Sequence, residues 1–383
     1  MVRAIARIKP VHVACFADNA SEMAHEGDLA AIAQSYCLVR RHKSINVSGA
    51  EALLTRKPIS LTSFYDKKIA DYVRTVIDKF NVTTIFVFSG QMAQYVPQDY
   101  SGRLIVDFVD MDSEKFASYA KDGQHPMRYI YSREARLLRK FEIEIANRAN
   151  VSTFVSNNEV EVFRKNAPKC TGNVQTLSNG IDTSFYDPRS VALVSLTNEI
   201  GDSDILFTGQ MDYPPNIEAV SRFATKILPQ ITAENPDARF IIVGRQPTEA
   251  VRALHDGDRV IVTGEVADVR PWLHGAKFVV APLSVARGVQ NKVLEAMAME
   301  KPVFASSEAA TGIDAEHGKH FFVSSDDDEM ASQINAHFAM RKKVQAVGIA
   351  ARRHVQDTMS WDAMLAKLPQ LLLGEEKARS EGL

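Results

Sequence analysis

The sequence predicts an α/β protein of two doubly wound, Rossmann-like parallel sheets, and three observations carry that prediction. Short runs rich in β-branched and aromatic residues alternate with longer segments of helical period, the pattern of successive βα units. Those short runs are almost continuously apolar, as expected of strands covered by helices on both faces. Finally, 383 residues at roughly 100 to 200 residues per domain correspond to two domains, and 45% apolar with 24% charged residues is ordinary for a globular chain.

Taken in order, "VRAIARI" near the start reads as the tail of a helix and runs directly into the strand "VHVACF" (11 to 16). A parallel domain normally opens with a strand, a glycine-rich turn and a helix, so the first domain is expected to lack its first βα unit. Further strands are read at "TIFVF" (84 to 88), "RLIVDFV" (103 to 109) and "VSTFV" (151 to 155). After a polar stretch around "LSNGIDTSFYDPRSV" come "DILFTG" (204 to 209), "RFIIVG" (239 to 244), "RVIVTG" (259 to 264), "KFVVAPL" (277 to 283) and "PVFA" (302 to 305). The polar stretch is the expected seam. It divides a first domain, 1–190, from a second, 191–358, and "SWDAMLAKLPQLLL" (360 to 373) is read as one last amphipathic helix, in a segment 359–383 that crosses back to the first domain. Two such sheets facing a cleft would place ligands outside the carboxyl ends of their strands.

Several function classes are set aside at once. A formal net charge of -2 does not suit a nucleic-acid binder working through bulk charge. Cys15, Cys37 and Cys170 are widely separated and show neither zinc spacing nor a disulfide framework, which fits a reducing compartment. No apolar run approaches the roughly 18 to 20 residues that span a bilayer, and "MVRAIARIKP" lacks the apolar stretch of a signal peptide. The expected location is cytoplasmic.

The chemistry-bearing segments cluster in the second half. In "DILFTGQMDYPPN" a strand ends in Gly209, followed by Gln210 and a Pro-Pro-Asn that opens a helix. Glycine at a strand end lets backbone approach a phosphate, and helix N-termini favour anions. "IIVGRQP" repeats the ending with Arg245 beside it, and "VIVTGEV" does so again before Val266. Three such endings imply strand tips kept clear on one edge. In "ARGVQNKVLEAMAM" a helix beginning near Gly288 would offer its first-turn amides to a diphosphate, Lys292 would add positive charge, and Glu295 would reach what extends from that phosphate. A carboxylate there can accept two hydrogen bonds from a ribose diol. On residues alone, Glu295 reads equally as a surface position of a crossover helix.

The order "LSNGID", "TGQMDYPPN", "IIVG", "VTGEV", "VAPL" and "NKVLEAMAMEKPVFAS" resembles the donor domain of the family-4 (group 1) glycosyltransferases, which have the GT-B fold. Within them it is most similar to the sugar transferase associated with exosortase (PEP-CTERM) exopolysaccharide loci, with "DFVDMDSEKF" (107 to 116) as a first-domain hallmark. The resemblance implies retaining transfer of a sugar from a nucleotide diphosphate donor, with no bound metal and no cofactor. It implies Glu295 as the ribose ligand, Gly209 on the loop facing the diphosphate, and the backbone near Val266 at the base. The broad family carries a second glutamate eight residues before Glu295, where this chain has Arg287, and Val289, Gln290 and Asn291 replace the usual glycines and leucine. Arg287 and Lys292 are therefore expected to supply positive charge to the departing diphosphate, with Gln210, Arg245, Gly288 and Asn291 completing the donor site. Glu300 stands where the family ends this helix with glycine, and a left-handed backbone there would cost on the order of 1 kcal/mol.

In the first domain, alternation along "DFVDMD" places Asp110 and Asp112 on one side if the chain stays extended. Asp112 with Glu114 and Lys115 reads as a helix start, leaving Asp110 as the acceptor-side catalytic candidate. In "MRYIYSREARLLRKFEIEIANRA" Arg128, Arg133, Arg136, Arg139 and Lys140 share one arc at 100 degrees per residue. That arc fits a solvated basic face, with Glu134, Glu142 and Glu144 interspersed, or peripheral contact with an anionic membrane. The function expected is transfer to a lipid-linked or growing exopolysaccharide acceptor at the inner face of the inner membrane, with nucleic acid excluded as a partner. A nucleotide-sugar epimerase of the same fold and a non-catalytic nucleotide-sugar binding fragment are the rival readings.

Overall fold

A computed structural model of the chain describes residues 1–122, 124–191, 200–286 and 288–374. It divides into two units, Met1–Ser178 with the stretch from Leu365, and Asn179–Met364. The first unit thus ends ahead of the seam expected near residue 190. Ile181 forms a parallel bridge with Ser360, and Arg352 donates to the Tyr186 and Thr183 carbonyl oxygens, so the polar stretch is built into the second unit.

In the first unit, β1 (His12–Ala17) and β2 (Ser35–Arg40) form a parallel pair, while β3 (Thr84–Phe88), β4 (Arg103–Val109), β5 (Val151–Phe154) and β6 (Val174–Thr176) form a separate parallel sheet in that order. The central strand β4 is buried along Leu104–Phe108 and apolar there except for Asp107, which accepts from the Thr153 hydroxyl. A bulge between Asp107 and Val109 breaks its register with β5, and Val109 has φ 68. A β-branched residue in that region is an outlier that only surrounding structure can hold. The turn overrides the alternation expected for Asp110 and Asp112. Asp110 is exposed at the tip of β4, and Asp112 lies in the first turn of the helix Asp112–Asp122.

The helix Met127–Arg148 forms as its period requires, but two of its acids are not on a solvated face. Glu134 is buried and accepts from the Ile59 and Ser60 amides and the Ser60 hydroxyl, capping the helix Ile59–Ser63. Glu142, also buried, accepts from the Ser113 amide, and burial pushes its carboxyl up to about 7. Arg139 pairs with Glu114. The basic arc is therefore partly spent on internal bonds.

The single last helix expected over 360 to 373 is two short ones, Trp361–Met364 and Leu368–Leu373, divided where Pro369 starts the second. Leu368, Leu371 and Leu372 of the second pack with Ile105 and Val151, and Arg103 donates to the Leu371 carbonyl.

In the second unit, β7 (Asp204–Thr208), β8 (Arg239–Val243), β9 (Val260–Gly264), β10 (Phe278–Ala281), β11 (Val303–Ser306) and β12 (Phe322–Ser324) form one parallel sheet in the order β12-β11-β10-β7-β8-β9. Chain order reverses between β7 and β10, so the topological switch point lies there, the place where such sheets open a ligand crevice. Phe207, Phe223, Phe240, Phe278 and Phe304 are fully buried beneath it. Glu300 does adopt the left-handed backbone, at φ 59.

Candidate functional site

At the carboxyl edge of β7, β8 and β9 the second unit forms an open cavity of about 500 Å³. Gly209, Gln210, Arg245, Val266, Asn291, Lys292 and Glu295 all line it. Gly288 is not among the lining residues, and Asp110 belongs to the first unit. Arg287 lies outside the described residues.

The floor is bare backbone, and the glycines explain why. A Cβ on Gly244 would stand 1.6 Å from the Gly209 carbonyl oxygen, and one on Gly209 would stand 2.9 Å from Asn216 Nδ2 and 3.1 Å from Lys292 Nζ. The two strand ends are also bonded, since the Gly209 amide donates to the Val243 carbonyl at 3.1 Å. A Gly244→Ala variant must therefore part β7 from β8. We expect a loss of about 1–3 kcal/mol in a thermal melt, with ligand affinity falling alongside.

The helix carrying Lys292 and Glu295 begins at Asn291, three residues later than Gly288. Gly288 instead adopts φ 65 in the loop ahead of it, and Gln290 occupies the N-cap with an extended backbone. The amides facing outward at this end are thus those of Asn291 and Lys292, which precede the helical ladder.

Lys292 is the electrostatic centre. Its Nζ donates to Asn216 Oδ1 at 2.6 Å and lies 4.1 Å from the centroid of the Phe207 ring. Asn216, itself buried, donates onward to the Gln210 carbonyl at 2.8 Å. Burial lowers the lysine's pKa to about 7, against a smaller opposing pull from Glu295. An ammonium held this way has aromatic and amide neighbours and a weak pull from Glu295, and an anionic ligand over Gly209 would supply the further negative charge that offsets its burial.

Glu295 lies one turn further, on the same face by i,i+3 spacing. Burial raises its pKa, while a hydrogen bond from Tyr186 and the Lys292 charge oppose the rise. The Tyr186 phenol is raised in turn by burial and by this carboxylate. Arg352 fixes the Tyr186 backbone by donating to its carbonyl at 2.6 Å and to that of Ala298, at the end of the glutamate's own helix. On the other wall, Arg245 Nη2 donates to Gln210 Oε1 at 3.0 Å, so these two side chains close one side of the cavity together.

Asn216, Tyr186 and Arg352 were not singled out from the sequence. Asn216 was read only as part of a Pro-Pro-Asn helix opening, whereas its neighbours in space are Lys292 and Gly209. Tyr186 lies just after "LSNGID" and 109 residues from Glu295, Arg352 lies 57 residues beyond Glu295, and nothing local links either to that carboxylate. Among the described residues no group of three or more His, Cys, Asp or Glu could hold a metal ion. No helix among them is long and apolar enough to cross a membrane.

Comparisons with known proteins bear on the family and the fold. Residues 202–339 match the family model of glycosyl transferases group 1. A GDP-mannose-dependent alpha-(1-6)-phosphatidylinositol monomannoside mannosyltransferase of Mycobacterium tuberculosis is 28% identical over 258 residues, which are 61% of this chain and 64% of that protein. The chain thus spans less than two thirds of that relative. Among solved structures, sucrose-phosphate synthase of Thermosynechococcus elongatus superposes with a TM-score of 0.61 at 16% identity, covering 94% of this chain and 98% of that one. Anabaena HepE, solved in complex with UDP and glucose, gives 0.58 at 16% identity over 93% and 90%. At such identities the likeness establishes the fold, which is GT-B with two Rossmann-like units.

Proposed function

We propose that the chain is a metal-independent glycosyltransferase that moves a sugar from a nucleoside diphosphate donor, with retention of configuration, to a lipid-linked or growing exopolysaccharide acceptor. The observation that carries the reading is the pairing of Lys292, aimed over the bare backbone of Gly209, with Glu295 one turn further on the same helix. In this reading the diphosphate lies over Gly209 and the Asn291 and Lys292 amides, the ribose diol meets Glu295, and the base lies along Val266. Lys292, joined by Arg287, meets the charge that develops on the departing diphosphate, the role a cation would otherwise fill. Asp110, exposed at the tip of β4, is the acceptor-side group.

A sugar-nucleotide site is supported by the group 1 match over residues 202–339 and by the names of the relatives, which include a GDP-mannose-dependent enzyme and a UDP complex. The lipid-linked acceptor, a place at the cytoplasmic face of the inner membrane, and kinship with the exosortase-associated transferases rest on the sequence resemblance. The test is incubation with UDP- and GDP-sugars, in chelator, with and without extracted lipid-linked glycans. Nucleoside diphosphate release that depends on acceptor, with an α-linked product from an α-linked donor, is the expected result. An epimerised sugar from donor alone would replace this reading with an epimerase. Donor binding without turnover on any glycan would leave a binding module.

A further inference from the structure

The helix Ile45–Thr55 is apolar on the wrong side. Its packed face holds Ser48 and Ala52, both buried. At 100 degrees per residue the opposite arc is Val47, Ala50, Leu53 and Leu54, with Asn46 its one polar member. Leu54 is 86% exposed, Leu53 69% and Val47 57%, and Ile45 at the start of the helix is 77% exposed. An exposed apolar strip of this kind is the usual mark of a docking surface.

Charge beside it identifies the partner's chemistry. The helix ends in Arg56, in the left-handed conformation at φ 57, followed by Lys57. Both line a cavity of about 340 Å³ whose other side is the helix Met127–Arg148, which contributes Lys140 and Arg148. Leu61 and Phe141 give it an apolar lining, and Glu144 is its one carboxylate. Arg133 donates to the Ala52 carbonyl at 2.8 Å and the Lys57 carbonyl at 3.2 Å, locking the two helices together. One turn before Arg133, on its face, are the exposed Tyr129 and Ile130. The result is an apolar strip bordered by a basic recess and by one amphipathic aromatic residue, Tyr129, the composition of a surface that lies in a lipid interface. A second copy placed on this face would set one basic rim against another.

We propose that this face of the first unit docks on an anionic phospholipid bilayer. Leu53 and Leu54 enter the acyl boundary, and a lipid phosphate sits against Arg56 and Lys57 at the mouth of the recess. The inference deepens the lipid-linked acceptor reading, but its test needs no sugar nucleotide and fails separately from it. The full chain is floated with vesicles of phosphatidylcholine alone, or of phosphatidylcholine with phosphatidylglycerol, at low and high salt. We expect binding to the anionic vesicles, weakened by salt and roughly tenfold weaker on the neutral ones. Leu53→Glu with Leu54→Glu, and separately Lys57→Glu with Lys140→Glu, should each lower vesicle binding by about tenfold or more, with melting temperature and nucleoside diphosphate binding unchanged. Glycerol phosphate in solution should compete only weakly, since it lacks the acyl contacts; full displacement by it would assign the recess to a free phosphate and overturn the bilayer. No binding to either vesicle, or binding indifferent to both double variants, would also overturn it. Concentration-dependent dimerisation abolished by the leucine variants would assign the face to a second copy instead.

Discussion

Replacing Lys292 with methionine is expected to weaken nucleoside diphosphate binding by about 2–5 kcal/mol, thirtyfold or more, without loss of the fold. The side chain is stored in the free protein at a cost: burial has pulled its pKa down to about 7 from an ordinary 10.5. An ammonium depressed this way is charged below about pH 7, with only Glu295 nearby as a counter-charge until an anion arrives. The sign of the pH dependence follows. A bound diphosphate raises the lysine pKa, so the lysine's contribution to affinity is full below about 7 and declines as pH climbs above it, until the bound-state value is passed. Stability runs the other way. Between about 7 and 10.5 the unfolded chain holds a proton on this lysine that the folded chain has given up, so stability rises with pH across that window. The methionine variant should lose both effects, which titration calorimetry at pH 6 and 8 and melts over the same range would reveal.

Replacing Glu295 with alanine is expected to cost about 1.5–3 kcal/mol of nucleotide-sugar affinity, roughly 10- to 150-fold, if its carboxylate holds the ribose diol through charged hydrogen bonds. Because burial raises this carboxyl, the ionised form is also lost earlier on acidification than for an ordinary glutamate. Affinity should therefore fall on the acid side through Glu295 and on the basic side through Lys292, giving a maximum between. A 2′,3′-dideoxynucleoside diphosphate separates the ribose contact from a general loss of structure. Wild type should bind it more weakly than the parent nucleotide, and Glu295→Ala should bind the two about equally. Unchanged affinity of the variant for the parent nucleotide, with a normal melt, would remove Glu295 from the ribose.

Much of this architecture was legible in the sequence because its signals are local. The strands that hold the sheet centres, such as "RLIVDFV" and "RFIIV", are almost continuously apolar, and they form where expected. Three strands went unread. β2, "SYCLVR", is half-buried along its length, while β6 and β12 are three-residue edge strands with too little sequence to set a period. The glycines beside the cavity were also legible, since a strand ending in glycine is a contiguous motif. What surrounds them was not. Lys292 reaches Asn216 across 76 residues, and Arg352 joins Tyr186 to Ala298, so these contacts exist only once the sheet is assembled. Glu134 and Glu142 misled for the opposite reason. Helical period places an acid on an arc but does not reveal that a neighbouring helix end needs its carboxylate.

The helix start shows a third kind of difference. The sequence places the start near Gly288, yet a glycine at φ 65 belongs to the loop that turns the chain before Gln290 can cap. The shift moves the outward amides to Asn291 and Lys292, next to the ammonium. The anion-binding reading then depends on fewer groups placed closer together.

The central claim, a diphosphate held over Gly209 by Lys292 with its ribose at Glu295, meets its most direct test in one set of calorimetric titrations. Wild type, Lys292→Met and Glu295→Ala are each titrated with UDP, GDP and the matching monophosphates. One diphosphate should bind wild type at one site per chain, roughly tenfold or more tighter than its monophosphate. That margin should shrink in the Lys292 variant and persist, at lower overall affinity, in the Glu295 variant. Equal affinity of wild type for mono- and diphosphate, or binding untouched by both substitutions, would contradict the site.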